Sequence, residues 1–196
     1  MLKSKLESRL SELKAKQELI EKSWKKTGNK ELLQFFVEIM PKALDAERCS
    51  IFILDPVDDN AWIACGTGLP EKGVTVPLDN SIVGKVISTG KHIIETEMEK
   101  QIGAHDTVAI KTGFVTRSAI CVPVMSVTKD KVVGAIQVLN KNNLKQFDDE
   151  DRIVLEKLAY HLQMNIENIF LRQEMAKISL EMSKEIKTLE AKLGIS

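Results

Sequence analysis

The feature that most restricts the fold is a long C-terminal stretch without helix-breaking residues. From Asp148 onward the chain has no proline, and its next glycine is Gly194. This stretch predicts one helix of about 45 residues, which is about 65 Å long at 1.5 Å per residue. Apolar residues at helical spacing predict a core-facing stripe at Leu155, Leu158, Leu162, Ile166 and Ile169, which continues at Leu171, Met175, Ile178, Met182 and Leu189. A stripe that continues past its own domain needs another helix to cover it.

The rest of the chain predicts a sheet with helices around it. Residues 2–26 predict a helix with weak heptads, and residues 31–45 a second helix that Pro41 bends or ends. A short helix is predicted at 79–91 and a long connection at 96–117. Strands are predicted at 48–55, 60–68, 73–78, 92–95, 118–127 and 130–141. This order predicts an α+β fold with a central antiparallel sheet of about six strands, helices outside it, and long flanking terminal helices.

The charge balance and the hydropathy exclude several classes of function. The chain has 28 basic and 28 acidic residues and a net charge of zero. A nucleic-acid surface needs clustered excess Lys and Arg, so we expect no nucleic-acid partner. No apolar run reaches the length of a membrane span, and the N-terminus lacks the apolar segment of a secretory signal. We therefore expect a cytoplasmic protein without a membrane partner.

The cysteines and histidines give no sign of a catalytic or metal centre. Cys49, Cys65 and Cys121 are widely spaced in apolar runs, which favours small core residues over a zinc site or a disulfide. His105 and Asp106 are neighbours in a polar loop, and one such pair falls below the signal of a metal site. We expect no metal and no catalytic residues.

Four stretches carry a resemblance to a known family. They are ERCSIFILD (47–55), SIVGKVISTGKHI (81–93), KTGFVTRSAICVPV (111–124) and VVGAIQVLNKNNLKQFDDED (132–151). In this order they resemble a GAF domain, and most closely the GAF domains of cyclic-nucleotide phosphodiesterases and adenylyl cyclases. The resemblance implies a non-catalytic sensor domain at 29–170. An N-terminal dimerisation and signalling helix would occupy 1–28, and a C-terminal signalling helix 171–196.

The last of these stretches contains the most specific motif of that type. Its residues here are Asn140, Lys141, Phe147 and Asp151, with Arg152 where the family often has glutamate. In relatives the lysine and the aspartate form an internal ion pair, which implies a structural brace between the sheet and the last helix. Asp148 suits the N-cap of that helix, and Asp151 gains from its dipole. The alternative is a solvated Asn-Lys turn.

The resemblance also implies a ligand pocket on one face of the sheet, closed by the helix at 81–89 and the connection at 96–117. The positions that match ligand contacts in relatives are Ser50, Ile82, Val83, Thr112, Thr116 and Gln137. Two departures weaken a cyclic-nucleotide assignment, since the second strand has CGTG (65–68) without an aromatic residue, and Ala109 replaces an aspartate. Three alternatives stay open: cAMP or cGMP, another small molecule, or a structural dimerisation domain without ligand. A redox enzyme on the same fold is a further alternative.

The terminal helices predict a partner. The N-terminal helix at 2–26 has no sheet to cover, and the apolar stripe at 171–189 also needs a partner. Both would be buried in a parallel homodimer that joins the two helices of each chain in a bundle. The alternative is an intramolecular helix pair in a monomer.

Overall fold

The computed structural model describes residues 2–24, 30–58, 60–69, 74–98 and 113–194. The helices are α1 (Leu2–Trp24), α2 (Lys30–Ala43), α3 (Ile82–Thr89) and α4 (Asp149–Leu193). The strands are β1 (Ala46–Leu54), β2 (Asn60–Gly66), β3 (Thr75–Pro77), β4 (Ile93–Glu95), β5 (Ala119–Met125) and β6 (Val132–Lys141). The chain forms two compact units, one of Asn29–Phe170 and one that combines Met1–Gly28 with Leu171–Ser196.

The larger unit contains one antiparallel sheet. Within the described residues its six strands have the order β3-β2-β1-β6-β5-β4. The two central strands β1 and β6 pair from Ala46 opposite Lys141 to Ile53 opposite Gly134. This sheet, with helices outside it, confirms the predicted α+β fold.

Successive residues of the central strands enter two different cores, as the two-residue period of a strand requires. Ile51 and Ile53 pack with α2 and α4 on one face of the sheet, whereas Phe52 packs with α3 on the other. The α4 residues predicted to face the core do so: Leu155, Leu162 and Ile166 are buried, and Leu158 and Ile169 are partly buried. The sheet therefore has an α2/α4 side and an α3 side.

Helix α3 occupies eight residues of the predicted stretch 79–91, between its capping residues and its glycine. Ser81 is its N-cap, because the Ser81 hydroxyl accepts a hydrogen bond of 2.9 Å from the Gly84 N–H. Gly90 ends the helix with a φ of 66°. A Cβ on Gly84 would meet the carbonyl oxygen of Leu78 at 2.3 Å, so only glycine fits where α3 lies against the chain that leads into it.

In the smaller unit, α1 contacts the end of α4. Leu10 is buried together with Ile186 and Leu189, and Leu6, Leu13 and Leu193 pack around them. Two exposed ion pairs flank this cluster, Arg9 with Glu185 at 2.8 Å and Lys14 with Glu190 at 2.6 Å. The alternative of an intramolecular helix pair therefore accounts for the end of the α4 stripe. Ile178, earlier in the same stripe, is exposed.

Candidate functional site

A row of side chains crosses the α3 side of the sheet at its centre. Ser50 in β1 lies opposite Gln137 in β6, and Gln137 lies opposite Cys121 in β5. On the other edge of β1, Ser50 lies opposite Gly66. The neighbours of Ser50 along β1 belong to the α2/α4 core, so the Ser50 side chain lies on the α3 side. The register thus brings the predicted residues Ser50 and Gln137 together.

Gly66 leaves space for the Ser50 side chain in this row. A Cβ at that position would meet Ile63 Cδ1 at 2.7 Å and Ser50 Oγ at 3.0 Å. A larger residue would therefore displace either Ile63 or the Ser50 hydroxyl. The site needs glycine on β2 for the serine to keep its position.

The predicted residues of α3 supply an apolar border to the row. Val83 is buried in the cluster on the α3 side, and Ile82 packs against that cluster. The cluster also contains Phe52 and Ile63 from the sheet. The Gly84 N–H is already bonded to the cap, so α3 offers fewer backbone donors at its start than a free helix end would.

Two predicted hydroxyl groups are buried and make no hydrogen bond among the described residues. Ser50 is 6% exposed and Thr116 is 8% exposed. Within the part of the chain that the structure describes, neither side chain has a hydrogen-bond partner. An unpaired buried polar group costs about 1–3 kcal/mol. A ligand that offers these hydroxyls a hydrogen bond would recover that free energy.

Asn140 holds the segment that contains Thr116. Its side chain is fully buried, and its Oδ1 accepts from the N–H groups of Arg117 at 2.7 Å and Ser118 at 3.3 Å. Its Nδ2 donates to the Val115 carbonyl at 2.9 Å and to Glu47 Oε2 at 3.0 Å.

All four hydrogen bonds of the Asn140 amide are thereby in use. Glu47 also forms an ion pair with the Arg117 side chain. These contacts fix residues 115–118, which we call the 115–118 clamp, to the end of β6.

Sequence reasoning missed a cation beside this site. The Arg48 guanidinium carbon lies 3.9 Å from the centroid of the Phe114 ring, which is cation–π geometry. Arg48 precedes Ser50 by two residues in β1, so both side chains lie on the α3 side. This two-residue spacing is the signal that could have identified Arg48.

Thr112, the remaining predicted contact, lies outside the described residues, as do His105, Asp106 and Ala109. The structure therefore places five of the six predicted contacts. Ser50 and Gln137 are direct neighbours, Ile82 and Val83 border the same side, and Thr116 lies in the 115–118 clamp, just before the start of β5.

Lys141 and Asp151 form an ion pair between the end of β6 and the first turn of α4. Their side chains are 13% and 10% exposed, so the pair is largely shielded from water. Asp151 also accepts a hydrogen bond of 3.0 Å from the Asp148 N–H, and the Lys141 Nζ lies 5.8 Å from the centroid of the Phe147 ring. The contacts link the sheet to the start of α4.

Asp148 is the N-cap of α4. Its Oδ1 accepts from the N–H groups of Glu150 at 2.9 Å and Asp151 at 3.0 Å. The hydrogen bond from the Asp151 N–H is the main cause that lowers the pKa of the Asp148 carboxyl below its ordinary value. The carboxylate is therefore ionised at neutral pH and favours the positive end of the helix dipole.

All three cysteines are buried and reduced. Burial raises the pKa of the Cys49 and Cys121 thiols, so neither forms a thiolate at neutral pH. Cys65 donates to Gln34 Oε1 at 3.0 Å. Among the residues described, no cluster of His, Cys, Asp or Glu could hold a metal ion, and no helix is both long and apolar enough to cross a membrane.

The burial of the thiols predicts low reactivity. We expect Cys49, Cys65 and Cys121 in the native protein to react with a disulfide reagent at pH 8 at least about 100-fold more slowly than an exposed cysteine. Lys85→Cys provides the exposed control, because Lys85 lies on the solvent side of α3. Absorbance of the released thiol measures both rates. A native cysteine that reacts as fast as the control would contradict the assignment of these residues to the core.

Comparisons of the sequence with known proteins agree with the fold described above. A family model described as "GAF domain" matches residues 27–167. The cone cGMP-specific 3',5'-cyclic phosphodiesterase subunit alpha' of Bos taurus is 25% identical over 154 residues, which is 71% of this chain and 18% of the relative. The chain spans less than a quarter of the length of the curated relatives it matches.

Solved structures share the fold. The GAF domain of an Acinetobacter phosphoenolpyruvate-protein phosphotransferase matches with a TM-score of 0.59 and 23% identity, over 82% of this chain and 93% of that one. The free methionine-R-sulfoxide reductase of Neisseria meningitidis matches with a TM-score of 0.58 and 19% identity, over 86% of this chain and 93% of that one. The fold thus occurs in an enzyme as well as in a domain of a larger protein.

Proposed function

This chain belongs to the GAF domain family, and from that premise we propose that it senses a small molecule on the α3 side of its sheet. GAF domains are typical of sensory and regulatory modules. The observation that carries the proposal is the pairing of Ser50 with Gln137 on the two central strands, where the buried Ser50 hydroxyl has no hydrogen-bond partner in the described part of the chain. A polar row beside an apolar border is the usual composition of a small-molecule site.

A cyclic nucleotide, cAMP or cGMP, is our first candidate ligand. The Gln137 amide offers a donor and an acceptor, which suits the edge of a purine base. Ser50 and Thr116 offer hydroxyls, and Ile82 and Val83 offer apolar contacts at the start of α3. The cyclic-nucleotide phosphodiesterases among the relatives support this choice. Thr112 completes the proposed set.

We further propose that the chain has no catalytic activity of its own. The rival function is redox catalysis, which the Neisseria reductase performs on the same fold. A redox site needs an accessible cysteine of low pKa, whereas burial raises the pKa of Cys49 and Cys121 here. Replacing all three cysteines by alanine should therefore leave ligand binding intact.

The terminal helices would transmit the effect of ligand binding. In this proposal residues 1–28 and 171–196 join two copies of the chain, and a ligand that favours one arrangement of the helices passes that bias to an output protein. The exposure of Ile178 supports a partner for this part of α4. A ligand-free dimerisation module is the competing function, and it shares the helices but not the binding site.

Thermal unfolding with a panel of ligands tests the proposal. A ligand at about 100 times its dissociation constant stabilises the folded state by about 2.7 kcal/mol. For a chain of this size the melting temperature should rise by about 5–11 °C. The panel contains cAMP, cGMP, other purines, amino acids and organic acids. If no member at millimolar concentration shifts the melting temperature, the ligand-free module is the better description.

Point variants then locate the site. Ser50→Ala and Gln137→Ala should each weaken the ligand that produces the shift by about 10-fold, since each loses a hydrogen bond of about 1–1.5 kcal/mol. Ser88→Ala is the matched control, because Ser88 is exposed on α3. Equal affinities for Ser50→Ala and Ser88→Ala would place the ligand elsewhere.

A further inference from the structure

Arg48 is a partly buried cation whose charge no acid balances among the described residues. Its guanidinium carbon lies 3.9 Å from the centroid of the Phe114 ring, and the side chain makes no ion pair or hydrogen bond in the described part of the chain. Across the sheet Arg48 lies opposite Leu139 in β6, and Leu139 lies opposite Ala119 in β5, so its neighbours there are apolar. A cation removed from water without a counter-ion is costly, and a site of this composition favours an anion.

The strands of the sheet contain two acidic residues, and neither neutralises Arg48. Glu47, the preceding residue, forms its ion pair with Arg117 and accepts a hydrogen bond of 3.0 Å from Asn140 Nδ2. Glu95 lies in β4, which is three strands from β1, or about 14 Å at the usual strand spacing. The positive charge of Arg48 is therefore available to a ligand.

The contact with Phe114 does not use the N–H groups of the Arg48 side chain. A guanidinium has five N–H donors in one plane, and none of those of Arg48 bonds to a described residue. Their planar arrangement matches the two oxygens of a carboxylate or of a phosphate group. The Phe114 ring thus restricts the position of the guanidinium while its donors stay available for an anion.

Two hydroxyl groups add donors to this part of the site. Ser50 follows Arg48 by two residues on the same side of β1, about 7 Å along the strand, and Thr116 follows Phe114 by two residues. Both hydroxyls are buried and make no hydrogen bond among the described residues. An oxygen-rich anionic group would satisfy the hydroxyls and balance the charge at the same time.

The start of α3 is a weaker place for an anion. The Gly84 N–H already donates to the Ser81 hydroxyl at 2.9 Å, and the residues before it, Ile82 and Val83, present apolar side chains to the site. Lys85, the basic residue of α3, is exposed to solvent. The charge that can attract an anion on this side of the sheet is therefore that of Arg48.

We propose that the sensed molecule is an organic anion, and that Arg48 and Ser50 bind its carboxylate or phosphate group at the end of the site next to the 115–118 clamp. This inference rests on the proposed function for the location of the site, and it adds the charge of the ligand and the residue that recognises it. A cyclic nucleotide would place its phosphate at Arg48 and its base toward Gln137 and α3. An organic acid would place its carboxylate at Arg48.

Isothermal titration calorimetry of the full chain with matched ligands tests the charge. Each anion is paired with a neutral counterpart: cAMP with adenosine, cGMP with guanosine, and succinate with succinamide. In the pair that binds, the anion should have an affinity about 10–100-fold higher than its counterpart. The pair that gives heat also shows whether the anionic group is a phosphate or a carboxylate.

The two proposals fail in different ways. A neutral counterpart that binds as tightly as its anion would reject the anion site and leave the sensor function standing. A chain that binds no member of the panel would reject both.

Variants of Arg48 then test the residue. Arg48→Gln removes the charge, so the affinity for the anion should fall about 10–100-fold and that for the neutral counterpart should not change. Arg48→Lys keeps the charge without the planar donors and should have an intermediate affinity. Arg152→Gln is the matched control, because it removes the same charge from α4, on the other side of the sheet. Equal affinities of Arg48→Gln and Arg152→Gln for the anion would reject the role of Arg48, provided that the melting temperatures without ligand show both to be folded.

A double variant tests whether Arg48 and Ser50 bind the same group. If both contact one anion, combining Arg48→Gln with Ser50→Ala should lower the affinity by less than the product of the two single effects. A combined loss equal to that product would place the two residues on separate parts of the ligand and reject the shared anion site.

Discussion

We expect Lys141→Met to lower the free energy of unfolding by about 3–5 kcal/mol, which is a fall in melting temperature of about 6–20 °C. The methionine keeps most of the apolar stem of the lysine but removes its charge. Asp151, whose side chain is 10% exposed, would then be a shielded carboxylate without its counter-ion. Urea unfolding measures the change. If the slope of the free energy of unfolding against urea concentration is unaltered, the variant exposes the same surface on unfolding as the wild type.

Two further variants separate the charge from the rest of the contact. Asp149→Ala removes an acid from the same helical turn, where the exposed Asp149 pairs with Arg152, and should cost no more than about 0.5 kcal/mol. Adding Asp151→Leu to Lys141→Met removes both charges and should restore most of the lost stability, because the penalty comes from the unpaired carboxylate. If Lys141→Met costs no more than Asp149→Ala, the ion pair is not a brace.

The second large effect is expected at Asn140. Asn140→Ala should lower the free energy of unfolding by about 4 kcal/mol, because it leaves the buried N–H of Ser118, the N–H of Arg117 and the carbonyl of Val115 without their partners. Asn140 also has a φ of 56°, which alanine adopts at a cost of about 1–2 kcal/mol. Thermal and urea unfolding measure the total.

Asn143 provides a matched control for the backbone contribution. Like Asn140, it is an asparagine with a φ of 56°. Its side chain, however, is exposed and makes no hydrogen bond within the described part of the chain. Asn143→Ala should therefore cost only the backbone part. The difference between the two variants, about 2–3 kcal/mol, reports the hydrogen bonds of the 115–118 clamp. Equal costs would show that the clamp contributes nothing to stability.

The architecture was predictable because it depends on local periodicity. The spacing from Leu155 to Ile169 identified the buried face of α4, and alternation identified the strands. The ends of α3 were less predictable, since Asp79, Asn80 and Ser81 are all capping types and only the observed hydrogen bond selects Ser81.

The candidate site was harder to predict from the sequence, because it depends on the pairing of strands that are far apart in the chain. The pairing of Ser50 with Gln137 follows from a register, and a shift of one residue would turn one of them to the other side. The contact of Arg48 with Phe114 needs both β1 and the segment before β5 in place. Asn140 resembles a turn residue in the sequence, and its four hydrogen bonds involve β1 and the 115–118 clamp, which no local pattern predicts.

The strand order has a consequence for how the chain is made. The ribosome releases β1 first of the strands, whereas its central neighbour β6, which ends at Lys141, is released last. Until β6 emerges, the nascent chain can form only two separate parts of the sheet, β1–β2–β3 and β4–β5, and one edge of β1 stays open. That edge includes Ile51, Phe52 and Ile53, which is a sequence prone to association when exposed. Closing a loop this long also slows the step that completes the sheet, so the open edge of β1 persists until β6 pairs with it.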